Sequence, residues 1–123
     1  MQSQNTMNLD KIEHDLINEV RLGQIEAKIF LLVTTKGKMS ADRIASELGL
    51  DNNTALQAAK KLVSLGGFID MSETEFEAMH PRFTAVNMYR KMCARENIEF
   101  KKNLTVDNIG VALEVHYERA RTK

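Results

Sequence analysis

The sequence predicts a mainly α-helical chain carrying one small β-hairpin, and three observations lead there. Apolar residues recur at three- and four-residue steps through most of the 123 positions. From Gly67 to Val86 that period gives way to a strand-like one, in "GFIDMS" and "FEAMHPRFTAV", with the polar "ETE" between them. Glycines at 23, 37, 49, 66 and 67 fall where helical stretches stop.

Each element follows in order. Residues 1–8, "MQSQNTMN", are polar and read as a loose tail before a single domain at 9–123. Leu9, Ile12, Leu16 and Val20 put one apolar stripe on a first helix, which Gly23 interrupts. A second helix buries Ile25, Ile29, Leu32 and Val33 and ends at "TKGK", where Gly37 is free to take a positive φ. Ser40 is a good N-cap for a short third helix, "ADRIASEL", with Ile44, Ala45 and Leu48 inward. Asp51 or Asn52 caps a fourth helix at about 52–65, whose Ala55, Ala59, Leu62 and Leu65 hold the period. In the hairpin, Pro81 places its strand at an edge or bends it there. The helical signal returns after Val86 through Met88 and Met92 and fades around "ENIEFKKN". Thr105 caps a last helix carrying Val106, Ile109, Leu113, His116 and Ala120.

Composition excludes several function classes. Seventeen Lys and Arg balance seventeen Asp and Glu, so the chain has no bulk charge with which to coat a polyanion, and any basic footprint must be local. Cys93 stands alone, which rules out an internal disulfide and points to a reducing compartment, expected to be cytoplasmic. The longest apolar run, Ile29 to Val33, is too short to span a bilayer, so no membrane partner is expected. There is no phosphate loop, dinucleotide fingerprint, nucleophile elbow or metal-ligand pair at helical i, i+4 spacing, and the histidines at 14, 80 and 116 are scattered. Neither an enzyme nor a cofactor nor a resident metal is expected.

Two short helices separated by "GLDN" and followed by a hairpin form the order of a winged helix-turn-helix, here with extra N- and C-terminal helices. The third helix would buttress the fourth across a turn that Gly49 permits, with Ala45, Ala55 and Ala59 small enough for close crossing. The fourth would then present its first turn to a major groove. Asn52, Asn53 and Gln57 carry amides able to pair with adenine edges, and Thr54 a methyl suited to thymine. Lys60 and Lys61 offer phosphate contacts. The same residue types are also ordinary helix starters, because they satisfy free backbone N–H groups.

The stretch "LGQIEAKIFLLVTTKGKMSADRIASELGLDNNTALQAAKKLVSLGGFI" resembles the winged-helix domain of TrmB-like archaeal transcriptional regulators. The family pattern opens with a leucine-glycine and a glutamate-alanine pair, matched by Leu22, Gly23, Glu26 and Ala27. It continues with a small helix ending in glycine, a recognition helix and a "KGLV"-like lead into the hairpin; "HPRFTAV" is similar to its proline-basic-aromatic strand. Leu22 to Val86 is covered, and MarR-like domains share much of the pattern. The resemblance implies sequence-specific binding of double-stranded DNA by a homodimer that controls transcription. It places Asn52, Asn53, Thr54, Gln57, Lys60 and Lys61 on the recognition surface, with Ser40 and Arg43 on the supporting helix. The chain departs from the family in having no room for a sugar-binding domain and fewer basic residues on the recognition helix.

Charge adds detail. Asp70, Glu73, Glu75 and Glu77 make the hairpin acidic, so its tip is not expected in a groove, and Arg82 on the returning strand is the better phosphate contact. Glu73, Glu75 and Glu77 with His80 could gather a divalent cation, although solvated charges explain them more simply. Arg90, Lys91, Arg95, Lys101 and Lys102 offer a second basic cluster, diluted by Glu96 and Glu99. His14 and His116 are either pH-sensitive or packed, and Cys93 either a redox sensor or a small core residue. The flanking helices, 9–20 and 105–121, either cover the core or pair two subunits through Leu9, Ile12, Leu16, Val20, Val106, Ile109, Leu113 and Tyr117. Pairing is favoured, because two recognition helices about 34 Å apart meet successive major grooves. The rival is a winged helix that binds protein in a transcription or chromatin assembly. An effector, if there is one, is not legible.

Overall fold

The computed structural model describes residues 2–122, and side chains from residue 9 onward. Residues 2–8 of the expected loose tail are instead helical. The elements run α1 (Gln2–Glu19), α2 (Gln24–Lys36), β1 (Met39–Ser40), α3 (Ala41–Leu48), α4 (Asn52–Leu65), β2 (Phe68–Asp70), β3 (Glu75–Ala78), α5 (Pro81–Glu96) and α6 (Leu104–Arg121). The described chain is thus mainly helical, with one small antiparallel sheet of order β1-β3-β2.

Helix α2 is the hub, touching α1, α3, α4, α6 and β3. Its Ala27, Ile29, Phe30 and Val33 have no exposed surface. Phe30 meets Phe68 on β2 at 6.1 Å between ring centroids, and Phe68 meets Phe76 on β3 at 6.4 Å, so three rings tie the sheet to the helices. Such offset aromatic contacts add to the apolar burial itself.

The turns follow from local chemistry. Ser40 Oγ accepts from the Arg43 N–H at 3.1 Å, and Asp51 Oδ1 from the Thr54 N–H at 2.7 Å, so α3 and α4 each begin on a side-chain cap. Gly49 ends α3 in the left-handed region at φ 68°, which lets α4 start at Asn52 after only Leu50 and Asp51.

Four further expectations need correction. A third strand, β1, pairs Met39 with Phe76 and Ser40 with Glu75; two residues are too few to show a period. Strand β3 stops at Ala78, and Pro81 opens α5 rather than ending a strand. Its missing N–H is one the first helical turn leaves unbonded anyway. Arg82 is therefore helical. Helix α6 is capped by Asn103, whose Oδ1 accepts from the Val106 N–H at 3.2 Å, and not by Thr105. Finally, Ile12, Leu16, Val20, Val106, Ile109 and Leu113 are all buried inside one chain, where α6 packs on α1, α2 and α5. A side chain already covered within its own subunit has little surface to give a second one. Only Leu9 and Tyr117 of the expected pairing set retain partial exposure.

Gly110 explains how α6 reaches α5. A Cβ there would sit 2.6 Å from Arg82 Cα and 3.0 Å from the Pro81 carbonyl oxygen, so the crossing depends on the bare backbone. At the far end of α6, Arg121 donates to the carbonyls of Val33, Thr34 and Tyr117 and pairs with Glu77. One guanidinium thereby finishes α2, joins β3 and locks the last turn of α6.

Candidate nucleic-acid interface

The geometry of α4 decides which of its residues face outward. At about 100° per residue, the buried Ala55, Ala59 and Leu62 define one face. Asn53, Gln57, Lys60, Lys61 and Ser64 lie opposite, and all five are exposed. Asn52 is exposed in the first turn. The polar stripe is therefore open to solvent along the helix.

The flanks of the helix differ. On one side Leu56, Lys60 and Val63 form a groove of about 540 Å³ with Asp70, Ser72, Glu73, Thr74 and Phe76 of the hairpin. On the other, Thr54 and Ala58 line a hollow with Gly23, Gln24, Ile25 and Glu26 at the start of α2. Thr54 is half-buried, and its hydroxyl donates to Asp51 Oδ2 at 3.0 Å. The hydroxyl completes the cap, and the expected base contact rests on the methyl.

Asp51 is legible in sequence as a cap but not as an electrostatic feature. The Thr54 backbone N–H and then its hydroxyl hold the Asp51 carboxyl below the usual aspartate range. A fixed negative charge thus sits at the N-terminal tip of α4 and offsets the positive end of the helix dipole.

The basic candidates fall into two groups. Lys60 and Lys61 are exposed and stand in no ion pair among the described residues. Arg43 faces Glu47 at 3.6 Å, and Lys36 reaches the same carboxylate at 3.8 Å. Arg82, 3.5 Å from Glu114, is at the start of α5 and not on the hairpin. Ser40 is engaged as a cap. Lys60 and Lys61 are the cations left unpaired on α4.

The hairpin turns at Met71–Thr74, where Ser72 Oγ accepts from the N–H groups of Thr74 and Glu75. Glu77 is neutralised by Arg121, leaving Asp70, Glu73 and Glu75 as the acids. Those glutamates do not gather around His80. The imidazole instead faces α6, with Nε2 3.6 Å from Glu114 and 3.7 Å from Glu118. Among the described residues these three form the one cluster with metal-ligand proximity. Glu114 and Glu118 are a pair of potential ligands at i, i+4, which corrects the expectation that no such pair exists. Their spacing is readable in the sequence, but carboxylates so placed are common on solvated helices.

Comparison with protein-family models, curated proteins and solved structures finds no match for this chain. The likeness to TrmB-like regulators rests on the quoted residues. No helix among the described residues is long and apolar enough to cross a membrane.

Proposed function

We propose that the chain is a winged helix-turn-helix protein that binds double-stranded DNA sequence-specifically, as a homodimer, to regulate transcription. The observation that carries this reading is the outward stripe of α4, where Asn53 and Gln57 precede Lys60, Lys61 and Ser64 on one exposed face. Amides at the leading end suit base edges, and cations further along suit phosphates. The helix order, the caps that fix the α3–α4 turn and the adjoining hairpin support the same reading. The second subunit would meet exposed apolar residues of α6, Val111 and Val115, since the inner stripe is covered.

A protein-binding winged helix is the second reading, favoured by the neutral net charge and by the acid-rimmed groove between α4 and the hairpin. Duplex affinity measured across a salt series separates the two. A DNA reader loses affinity with a log–log slope of about −0.9 per neutralised phosphate. Lys61→Ala should then reduce the slope by about 0.9 for a monomer and about 1.8 for a dimer, where the change occurs twice. Lys60→Ala should weaken all sequences alike, and Gln57→Ala should mainly relax base preference. Duplex binding that is absent at low salt overturns the proposal.

A further inference from the structure

We propose that His80, Glu114 and Glu118 form a binding site for one divalent transition-metal cation, at the joint between the hairpin, α5 and α6. The donors come from two elements that the fold forces together. His80 is the N-cap residue of α5, and the Gly110 crossing brings that end of α5 onto α6 one turn before Glu114. One Nε2 and two carboxylate oxygens then lie within 4.8 Å of one another.

The distances suit a metal. Bonds of about 2.0–2.2 Å in a tetrahedral set put donors roughly 3.4 Å apart. The observed 3.6 and 3.7 Å from Nε2 need a contraction of a few tenths of an ångström, and the two carboxylate oxygens, within 4.8 Å of each other, close by glutamate torsions. One imidazole with two carboxylates selects a borderline divalent ion such as Zn²⁺ or Co²⁺ over Ca²⁺, which takes oxygen alone. Three protein ligands leave a position for water. Glu118 is 57% exposed, so the ion can reach the site from solvent.

Electrostatics favours occupancy. Glu114 and Glu118 are like charges at i, i+4, toward the helix end where the dipole disfavours anions. Arg82 relieves only Glu114, through Oε1 at 3.5 Å, while Oε2 faces the imidazole. Glu118 has only His80 as an ion-pair partner among the described residues. Two carboxylates face a single arginine here, so the surroundings are acidic and favour a divalent cation.

The histidine also couples the ion to backbone structure. Nδ1 accepts from the Arg82 N–H at 3.2 Å, so in the neutral ring the proton sits on Nε2, between the carboxylates. A metal on Nε2 requires the proton on Nδ1 instead. The cap bond to Arg82 is then broken. Binding therefore loosens the first turn of α5, next to the end of β3.

Co²⁺ titration of the full chain, read by visible d–d absorption, tests the proposal. Saturable uptake of one ion per chain, displaced by Zn²⁺, is the expected result. His80→Asn keeps an oxygen to accept from Arg82 N–H and removes the ligand; Glu118→Gln alters an exposed side chain. Each should weaken Co²⁺ at least about tenfold. No saturable uptake up to about 1 mM Co²⁺, or uptake unchanged in both variants, overturns the site.

Discussion

At the scale of single residues, Asp51 and Gly110 carry the most specific consequences. The Asp51 carboxyl is held below its ordinary range by N–H and O–H donors of Thr54, so it binds protons less readily folded than unfolded. Its contribution to stability is fully present above the unfolded value of about 3.9 and is lost as pH falls through the lowered folded value. Asp51→Asn retains the cap without the charge. Urea midpoints measured from pH 7 down to about 2 should show a flatter acid limb for the variant. At neutral pH the same change should tighten duplex binding, because it removes an anion from the helix tip; weaker binding would argue against that tip facing phosphate. Gly110→Ala drives a Cβ into the backbone of Pro81 and Arg82. Overpacking of about 1–3 kcal/mol should outweigh the roughly 1 kcal/mol gained in helix propensity. Urea unfolding that shows a net gain in stability would mean the α5–α6 crossing is wrongly placed.

Among elements, α4 and α6 show what periodicity can and cannot reveal. The inward set Ala55, Ala59 and Leu62 is legible as the core face of α4, and so is its outward complement, because a helix of known phase has only one opposite side. The pair of flanks is not. That Thr54 turns to α2 and Lys60 to the hairpin depends on which elements stand beside α4, and no local pattern encodes that. For α6 the sequence reveals the stripe but not its partner. Val106, Ile109 and Leu113 look the same in sequence whether they meet a sister subunit or α1 and α2. Leu113→Ala settles which they meet. A core role predicts a loss of about 2–5 kcal/mol, equal at low and high protein concentration. A loss confined to dilute solution would return Leu113 to an interface. The boundaries at β1, Pro81 and Asn103 escape sequence reasoning for one shared cause. Each is fixed by a tertiary or capping hydrogen bond within a segment too short to show a period.

For the whole molecule, charge sets the terms. Seventeen positive and seventeen negative side chains leave no net charge to attract DNA, so on the proposed reading affinity would come from a few contacts repeated by symmetry. The ion pairs of Arg43 and Arg82 sharpen this, since the unpaired cations on α4 are Lys60 and Lys61. Sedimentation should find a dimer, and Val111→Glu with Val115→Glu on the exposed face of α6 should dissociate it without unfolding the chain. The most direct measurement is the affinity of the protein for a duplex chosen from a random pool, divided by its affinity for a scrambled duplex. Wild type should prefer the chosen site by about 10³-fold or more. Asn53→Ala with Gln57→Ala should forfeit roughly 1–3 kcal/mol of that discrimination for each bidentate amide–base pair removed. A wild-type ratio near one, or a ratio that the double substitution leaves intact, would contradict the assignment of α4 as a reading head.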